Sequence, residues 1–129
     1  MAMPGWATRD KKYLCSCIRA KYEEMLKQAG FKLTTIETAR DLARQKHYKK
    51  IGASRTLQSK HLLREDGTCL AFDITPSEYL PLKAWNPNGP YWGMLGKLGQ
   101  SLGLEWGGSL WAPGFIDKPH FQLSKCECE

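Results

Sequence analysis

The sequence predicts an α+β domain, with a small, largely antiparallel sheet flanked by about three helices. Three observations predict it. The 129 residues suffice for one core and not two, so residues 1–129 read as one domain. Hydrophobic residues make up 42% and charged residues 25%, and five Trp, five Tyr and four Phe supply a modest core. The periodicities alternate in the order helix, strand, helix, loop, strand, helix, strand, strand.

From Asp10, Tyr13, Leu14, Cys17, Ile18, Met25 and Leu26 recur at helical spacing, and Gly30 sits where a helix stops. Phe31 to Ile36 alternates and is β-branched, which predicts a short strand. Thr38 to Ile51 carries Ala39, Leu42, Ala43 and a lysine-rich tail before Gly52, which predicts a second helix. Residues 52–68 hold no sustained period and read as a long loop ending in the turn signal Asp66-Gly67. Cys69 to Thr75 reads as a strand closed by Pro76, and Pro81, Pro87 and Pro90 break the stretch that follows. Tyr91 to Leu102 places Trp92, Leu95, Leu98 and Leu102 on a third helix, weakened by three internal glycines. Leu104 to Trp106 starts a strand, Gly107-Gly108 opens a loop to about Lys118, and His120 to Ser124 is the last strand. Residues 1–9 and 125–129 are expected to be loose termini.

Composition narrows the function classes. No apolar run approaches the roughly 20 residues that span a bilayer, so no integral membrane segment is expected. Met1 to Asp10 lacks the apolar run of a secretory signal. The formal charge of +6 favours a polyanionic partner: nucleic acid, an anionic membrane surface or an anionic cell wall. The basic residues are spread along the chain, with only Lys11-Lys12 and Lys49-Lys50 as small clusters, which argues against nucleic acid. Five cysteines cannot all pair within one chain. Cys15 and Cys17 lie in a helical-looking stretch where i and i+2 point apart. Together with Cys126 and Cys128 they could form a four-thiolate zinc module, but the usual C-x-x-C spacing is absent. Free thiols suit synthesis in a reducing cytoplasm.

The chemistry concentrates on two of the three histidines. His47 lies among Gln45, Lys46, Lys49 and Lys50 and reads as a solvated surface residue. His61 precedes the strand carrying Asp73, whose neighbours Ala71, Phe72 and Ile74 are apolar. A carboxylate in such a strand is costly unless it is paired, hydrogen-bonded or bound to a cation. His120 follows Pro119, with Asp117 three residues before it. Two imidazoles and a carboxylate suit a catalytic zinc and leave a position for water, whose pKa the metal can lower towards about 7. A nearby carboxylate would serve as general base. Taken singly, each residue is as well explained by a satisfied histidine or a capping aspartate.

Thr35 to Lys46, Gly52-Ala-Ser, Ser59-Lys-His61, Ala71-Phe-Asp73, Trp106-Gly-Gly108 and Asp117-Lys-Pro-His-Phe-Gln122 occur in that order. This set resembles the L-alanyl-D-glutamate peptidases, phage endolysins and bacterial enzymes akin to the zinc D-alanyl-D-alanine peptidases. The resemblance covers residues 31–124 and implies the zinc D,D-peptidase fold. Carried onto this chain, it implies Zn2+ ligands at His61, Asp73 and His120 and a catalytic carboxylate at Asp117. It also implies an oxyanion-stabilising guanidinium at Arg40 and substrate or cleft roles for Ser59 and Trp106. The segment 62–72 between His61 and Asp73 is longer than the family's spacing, and Leu63 to Gly67 reads as a hairpin-like insertion bordering the cleft. Loop length costs little free energy, so the metal site can survive it.

The resemblance therefore implies a zinc endolysin-type peptidase that cuts the peptidoglycan stem between L-alanine and D-glutamate. Such an enzyme would be a monomer made without a signal peptide in a bacterial host's cytoplasm and released by a holin to act on the wall. Two alternatives stay open: a D-alanyl-D-alanine carboxypeptidase or dipeptidase with the same zinc site, and a non-catalytic basic wall-binding module.

Overall fold

The structure is a computed structural model that describes residues 8–52, 59–80, 88–111 and 116–125. Helices α1 (Ser16–Gln28), α2 (Leu42–Lys50) and α3 (Tyr91–Ser101) accompany strands β1 (Leu33–Glu37), β2 (Ala71–Pro76), β3 (Glu105–Trp106) and β4 (His120–Gln122). The sheet order is β1-β2-β4-β3, and every neighbouring pair is antiparallel. This is the α+β architecture expected from the element order.

Alternation along β2 and β4 sorts the sheet into two chemistries. Phe72 lies opposite Phe121 and Asp73 opposite His120. Phe72, Ile74 and Phe121 are fully buried with Ile18 and Met25 of α1 and Trp92 and Leu95 of α3. The Phe72 and Phe121 rings stack 5.7 Å apart, and Tyr22 meets Phe72 edge-on at 5.1 Å. One register thus commits one face to the core and leaves Asp73 and His120 together on the other.

Several boundaries differ from the sequence expectation. The first helix is not continuous from Asp10: Asp10 caps a 3-10 turn over Lys11–Tyr13, Leu14 pairs with Cys69, and α1 begins at Ser16. Cys15 therefore sits before the helix, and its Sγ lies 3.4 Å from that of Cys17 instead of pointing away. Cys15 is disulfide-bonded, so the expectation of free thiols fails there, while Cys17 and Cys69 are not in a disulfide. Cys126 and Cys128, needed for a four-thiolate module, lie outside the described residues.

The second helix starts at Leu42 and not at Thr38, because the Asp41 side chain accepts the Arg44 N–H at 2.8 Å and caps it there. Thr38 to Arg40 is instead outside the helix, with a bend at Thr38 and Arg40 bridged to Leu62. The insertion closes on itself: Arg64 N donates to Thr68 O at 2.8 Å, Asp66 Oδ1 accepts from Thr68 N, and Gly67 takes φ 80°. Two of the glycines expected to weaken α3 are packing contacts. A Cβ at Gly96 would fall 2.5 Å from the Trp106 ring, and one at Gly99 2.4 Å from the Phe121 ring. Their absence of side chain lets α3 lie directly on the sheet.

Candidate metal centre and active site

Three separated segments bring His61, Asp73 and His120 together. His61 arrives through a parallel bridge, Arg40 N donating to His61 O at 2.9 Å, and through Ser59, whose Oγ accepts the His61 N–H at 3.1 Å. Asp73 comes from β2 and His120 from the paired position on β4. His61 is 1% exposed and His120 4%. His61 Nε2 stands 3.0 Å from Asp73 Oδ1 and 3.1 Å from His120 Nδ1, which is itself 3.1 Å from the same carboxylate oxygen.

The outer nitrogens decide what that triangle can hold. His61 Nδ1 lies 2.5 Å from Thr38 O, and a carbonyl only accepts, so Nδ1 carries the proton and Nε2 offers a lone pair. His120 Nε2 lies 2.8 Å from Gln122 Oε1, so in the neutral ring Nδ1 offers a lone pair in the same way. With both rings neutral, two lone pairs and a carboxylate oxygen converge at about 3 Å, which is repulsive unless a proton or a cation sits among them. Among the described residues these three form the group whose ligand atoms, all within 4.8 Å of one another, could hold a metal. The donor set fits a divalent cation of zinc's type.

The electrostatics follow. Asp73 is disfavoured as a charge by burial, but His61 and His120 outweigh that and hold its carboxyl far below the usual range. For His120 burial pulls the imidazole down, yet the hydrogen bond and charge of Asp73, with Asp117 and Gln122 assisting, raise it above its ordinary value. A cation must displace the His120 proton. Apparent metal affinity is therefore expected to fall as pH drops through the raised His120 value and to level off above it, Asp73 staying ionised throughout. Competition with a chelator across pH 5–9 checks this, and an affinity flat over that range would contradict it.

Asp117 is placed by the turn that leads into β4. His120 N donates to Asp117 O at 3.1 Å, Asp117 N to Gly107 O at 2.9 Å, and Gly107 N to His120 O at 2.8 Å. Gly107 must lack a side chain, because a Cβ there would lie 2.3 Å from Asp117 O and 3.0 Å from the His120 Cβ. Trp106 holds the same turn, its Nε1–H donating to Lys118 O at 2.8 Å while its ring rests on Gly96 and Gly108. Burial, then the charge of Asp73, push the Asp117 carboxyl up to about 6, against smaller opposing pulls from His120, His61 and Arg40. It can therefore change protonation state near neutral pH.

Arg40 lies behind the carboxylate of Asp73. Its Nη2 pairs with Glu37 Oε1 and stands 3.9 Å from Asp73 Oδ2, its Nη1 donates to Gln45 Oε1 at 2.8 Å, and the Tyr48 ring packs 4.6 Å from its guanidinium carbon. A bulge between Thr35 and Glu37 turns Glu37 to this place, opposite Asp73. The Arg40 and Glu37 side chains are 7% and 5% exposed. Removing one partner of a buried pair costs about 3–5 kcal/mol, and Arg44 Nε, 3.9 Å from Glu37 Oε2, would offset part of that. Arg40→Met is thus expected to destabilise the fold by about 3 kcal/mol, with Glu37→Gln in the same chain recovering much of it. Urea unfolding measures both, and a loss under about 1 kcal/mol for Arg40→Met would contradict the pairing.

The expected site residues therefore fall into two groups. His61, Asp73 and His120 meet directly, with Asp117 and Arg40 near enough to act on Asp73's charge. Ser59 and Trp106 touch the backbone of the loops that carry His61 and Asp117. His47 is exposed on α2. Sequence reasoning missed Glu37, Gln45 and Tyr48 around Arg40, and Trp111, whose ring lies 5.3 Å from His120. It also gave no role to Gln122, although alternation from His120 places that residue on the site's face.

Fold and site together define a small α+β domain whose buried His-Asp-His group could hold a metal ion. The fold is similar to that of the L-Ala D-Glu endopeptidase ChiX of Serratia marcescens, with a TM-score of 0.68 and 23% identity over 95% of this chain and 89% of that one. A comparison with curated proteins finds no match. Residues 52–123 match the model of the peptidase M15 family described as D-alanyl-D-alanine carboxypeptidase, and the chain belongs to that family. It is accordingly a peptidase. No described helix is long and apolar enough to cross a membrane.

Proposed function

We propose that this peptidase is zinc-dependent and hydrolyses the L-alanyl-D-glutamate bond of the peptidoglycan stem peptide. The observation that carries the reading is the convergence of His61 Nε2, His120 Nδ1 and Asp73 Oδ1 within about 3 Å of one another, beside the Asp117 carboxyl group poised near neutrality. When bound, zinc supplies Lewis-acid polarisation of the scissile carbonyl and acidifies a water. His61, Asp73 and His120 would hold it, and two imidazoles with one carboxylate are the ligands a catalytic zinc takes.

The chain's own residues perform the proton work. Above about pH 6 Asp117 is a carboxylate that takes a proton from the attacking water. It then gives that proton to the nitrogen of the leaving D-glutamate, so one group acts as base and acid. Arg40, gripped by Glu37 and Gln45, contributes a fixed positive charge that favours the oxyanion developing on the carbonyl. Ser59 and Trp106 shape the cleft through the loops they hold.

The bond choice is supported by the ordered motifs and by a fold similar to that of an L-Ala D-Glu endopeptidase. The family description favours a second reading, cleavage of D-alanyl-D-alanine, with the same residues in the same roles. Digesting purified muropeptides with and without chelator, and identifying the new termini by mass spectrometry, separates them. New N-terminal D-glutamate that vanishes with chelator supports the proposal, and released D-alanine supports the alternative. A lytic role of the phage endolysin type, as a monomer released by a holin, belongs to the same proposal and rests on the motif resemblance. The +6 charge would draw such a protein to an anionic wall.

A further inference from the structure

Gln122 and Glu105 border the ligand set without belonging to it. Residues on β4 alternate between faces, so Gln122 shares the face of His120 while Phe121 enters the core. The β3–β4 register sets Glu105 opposite Gln122. Gln122 is 8% exposed, its Oε1 lies 2.8 Å from His120 Nε2, and its Nε2 lies 3.0 Å from Glu105 Oε1.

The direction of this chain is forced from one end. A carboxylate can only accept, so Glu105 takes an amide N–H of Gln122. That turns the amide oxygen of Gln122 towards His120. The oxygen too can only accept, so His120 Nε2 must carry the hydrogen. A neutral imidazole has one N–H, which leaves the lone pair on Nδ1, the atom 3.1 Å from His61 Nε2 and Asp73 Oδ1. We propose that Glu105 and Gln122 are positioning residues that lock the tautomer of His120 and so decide whether its Nδ1 can ligate. The proposal rests on the cation-binding reading of the His-Asp-His group. His61 is set by the backbone carbonyl of Thr38, so His120 is the ligand whose state depends on replaceable side chains. Without its partner, His120 can place the hydrogen on Nδ1, and a protonated nitrogen offers the cation nothing.

The test has two readouts on the folded chain. Zinc affinity is measured by competition with a chromophoric chelator, and the His120 tautomer by ring 15N shifts of the metal-free protein above the His120 pKa. Gln122→Ala is expected to weaken zinc about 10–100-fold and to lose the single Nε2–H tautomer. Gln122→Glu combined with Glu105→Gln reverses the pair: the amide at 105 donates to the carboxylate at 122, which still accepts from His120, so the Nε2–H tautomer and the zinc affinity stay close to those of the wild type. A residue needed only for packing would not fix the tautomer in this way. Unchanged affinity and an unchanged tautomer in Gln122→Ala would overturn the proposal, as would a double variant that loses the Nε2–H tautomer. If the wild-type chain binds no zinc, the cation reading fails, and the 15N shifts alone then decide whether the lock exists.

Discussion

Replacing Asp117 with Asn is expected to lower the rate of peptide hydrolysis about 10²–10⁴-fold while zinc binding stays close to that of the wild type. The substitution keeps the size of the side chain and removes its ability to accept a proton. Nothing else would need to move, because Asp117 is placed by backbone bonds from its own N–H and carbonyl to Gly107 and His120. The pH profile sharpens the expectation. Burial and Asp73 push the Asp117 carboxyl up to about 6, so below that value it is a neutral acid and cannot serve as base. The rate of the wild-type chain should therefore rise with pH through this region. A bound dication would favour the carboxylate, so in the zinc-loaded protein the rise lies at or below about 6. The residual activity of Asp117→Asn should lack that acid limb. Full activity in the zinc-loaded variant would remove Asp117 from the mechanism.

The second large effect concerns the metal. Asp73→Asn should cut zinc affinity beyond the roughly 10–100-fold typical of losing a group that merely orients a ligand, since here a charged ligand is lost. The variant keeps a side chain of the same shape between His61 Nε2 and His120 Nδ1, so circular dichroism should show an intact fold. Asp73 is also the charge that raises His120, and its loss lets burial lower that imidazole. The pH dependence of any remaining metal binding should shift towards acid accordingly. Wild-type zinc affinity in this variant would mean that the cation sits elsewhere.

Much of this site is legible in the sequence, and the reasons are local. Asp73 announces itself because a carboxylate in an apolar strand needs a partner. His120 and Asp117 stand close in the chain, so their relation survives any plausible fold. The turn within 62–72 is legible because Asp66-Gly67 is a turn signal that acts within four residues, and the segment reads as an insertion only against the spacing of the family the chain resembles. Arg40 is harder. Its helical-looking neighbourhood places it on α2, whereas Asp41 captures the cap and leaves Arg40 outside the helix, bridged to Leu62. The glycines of α3 read as weakness, since a helix considered alone gains nothing from them. Against Trp106 and Phe121 they are what permits contact.

By itself the sequence determined the element order, the lone carboxylate of Asp73 in an otherwise apolar strand, and the residue types proposed to ligate a metal. These depend on periods of a few residues and on intrinsic chemistry. Only the tertiary structure decided which nitrogen of each imidazole faces the centre, that Glu37 and Gln45 grip Arg40, and that Glu105 reaches His120 through Gln122. Those outcomes depend on sheet register and on acceptors supplied by distant chain. A hydrogen bond is settled over tenths of an ångström, which no spacing along a sequence encodes.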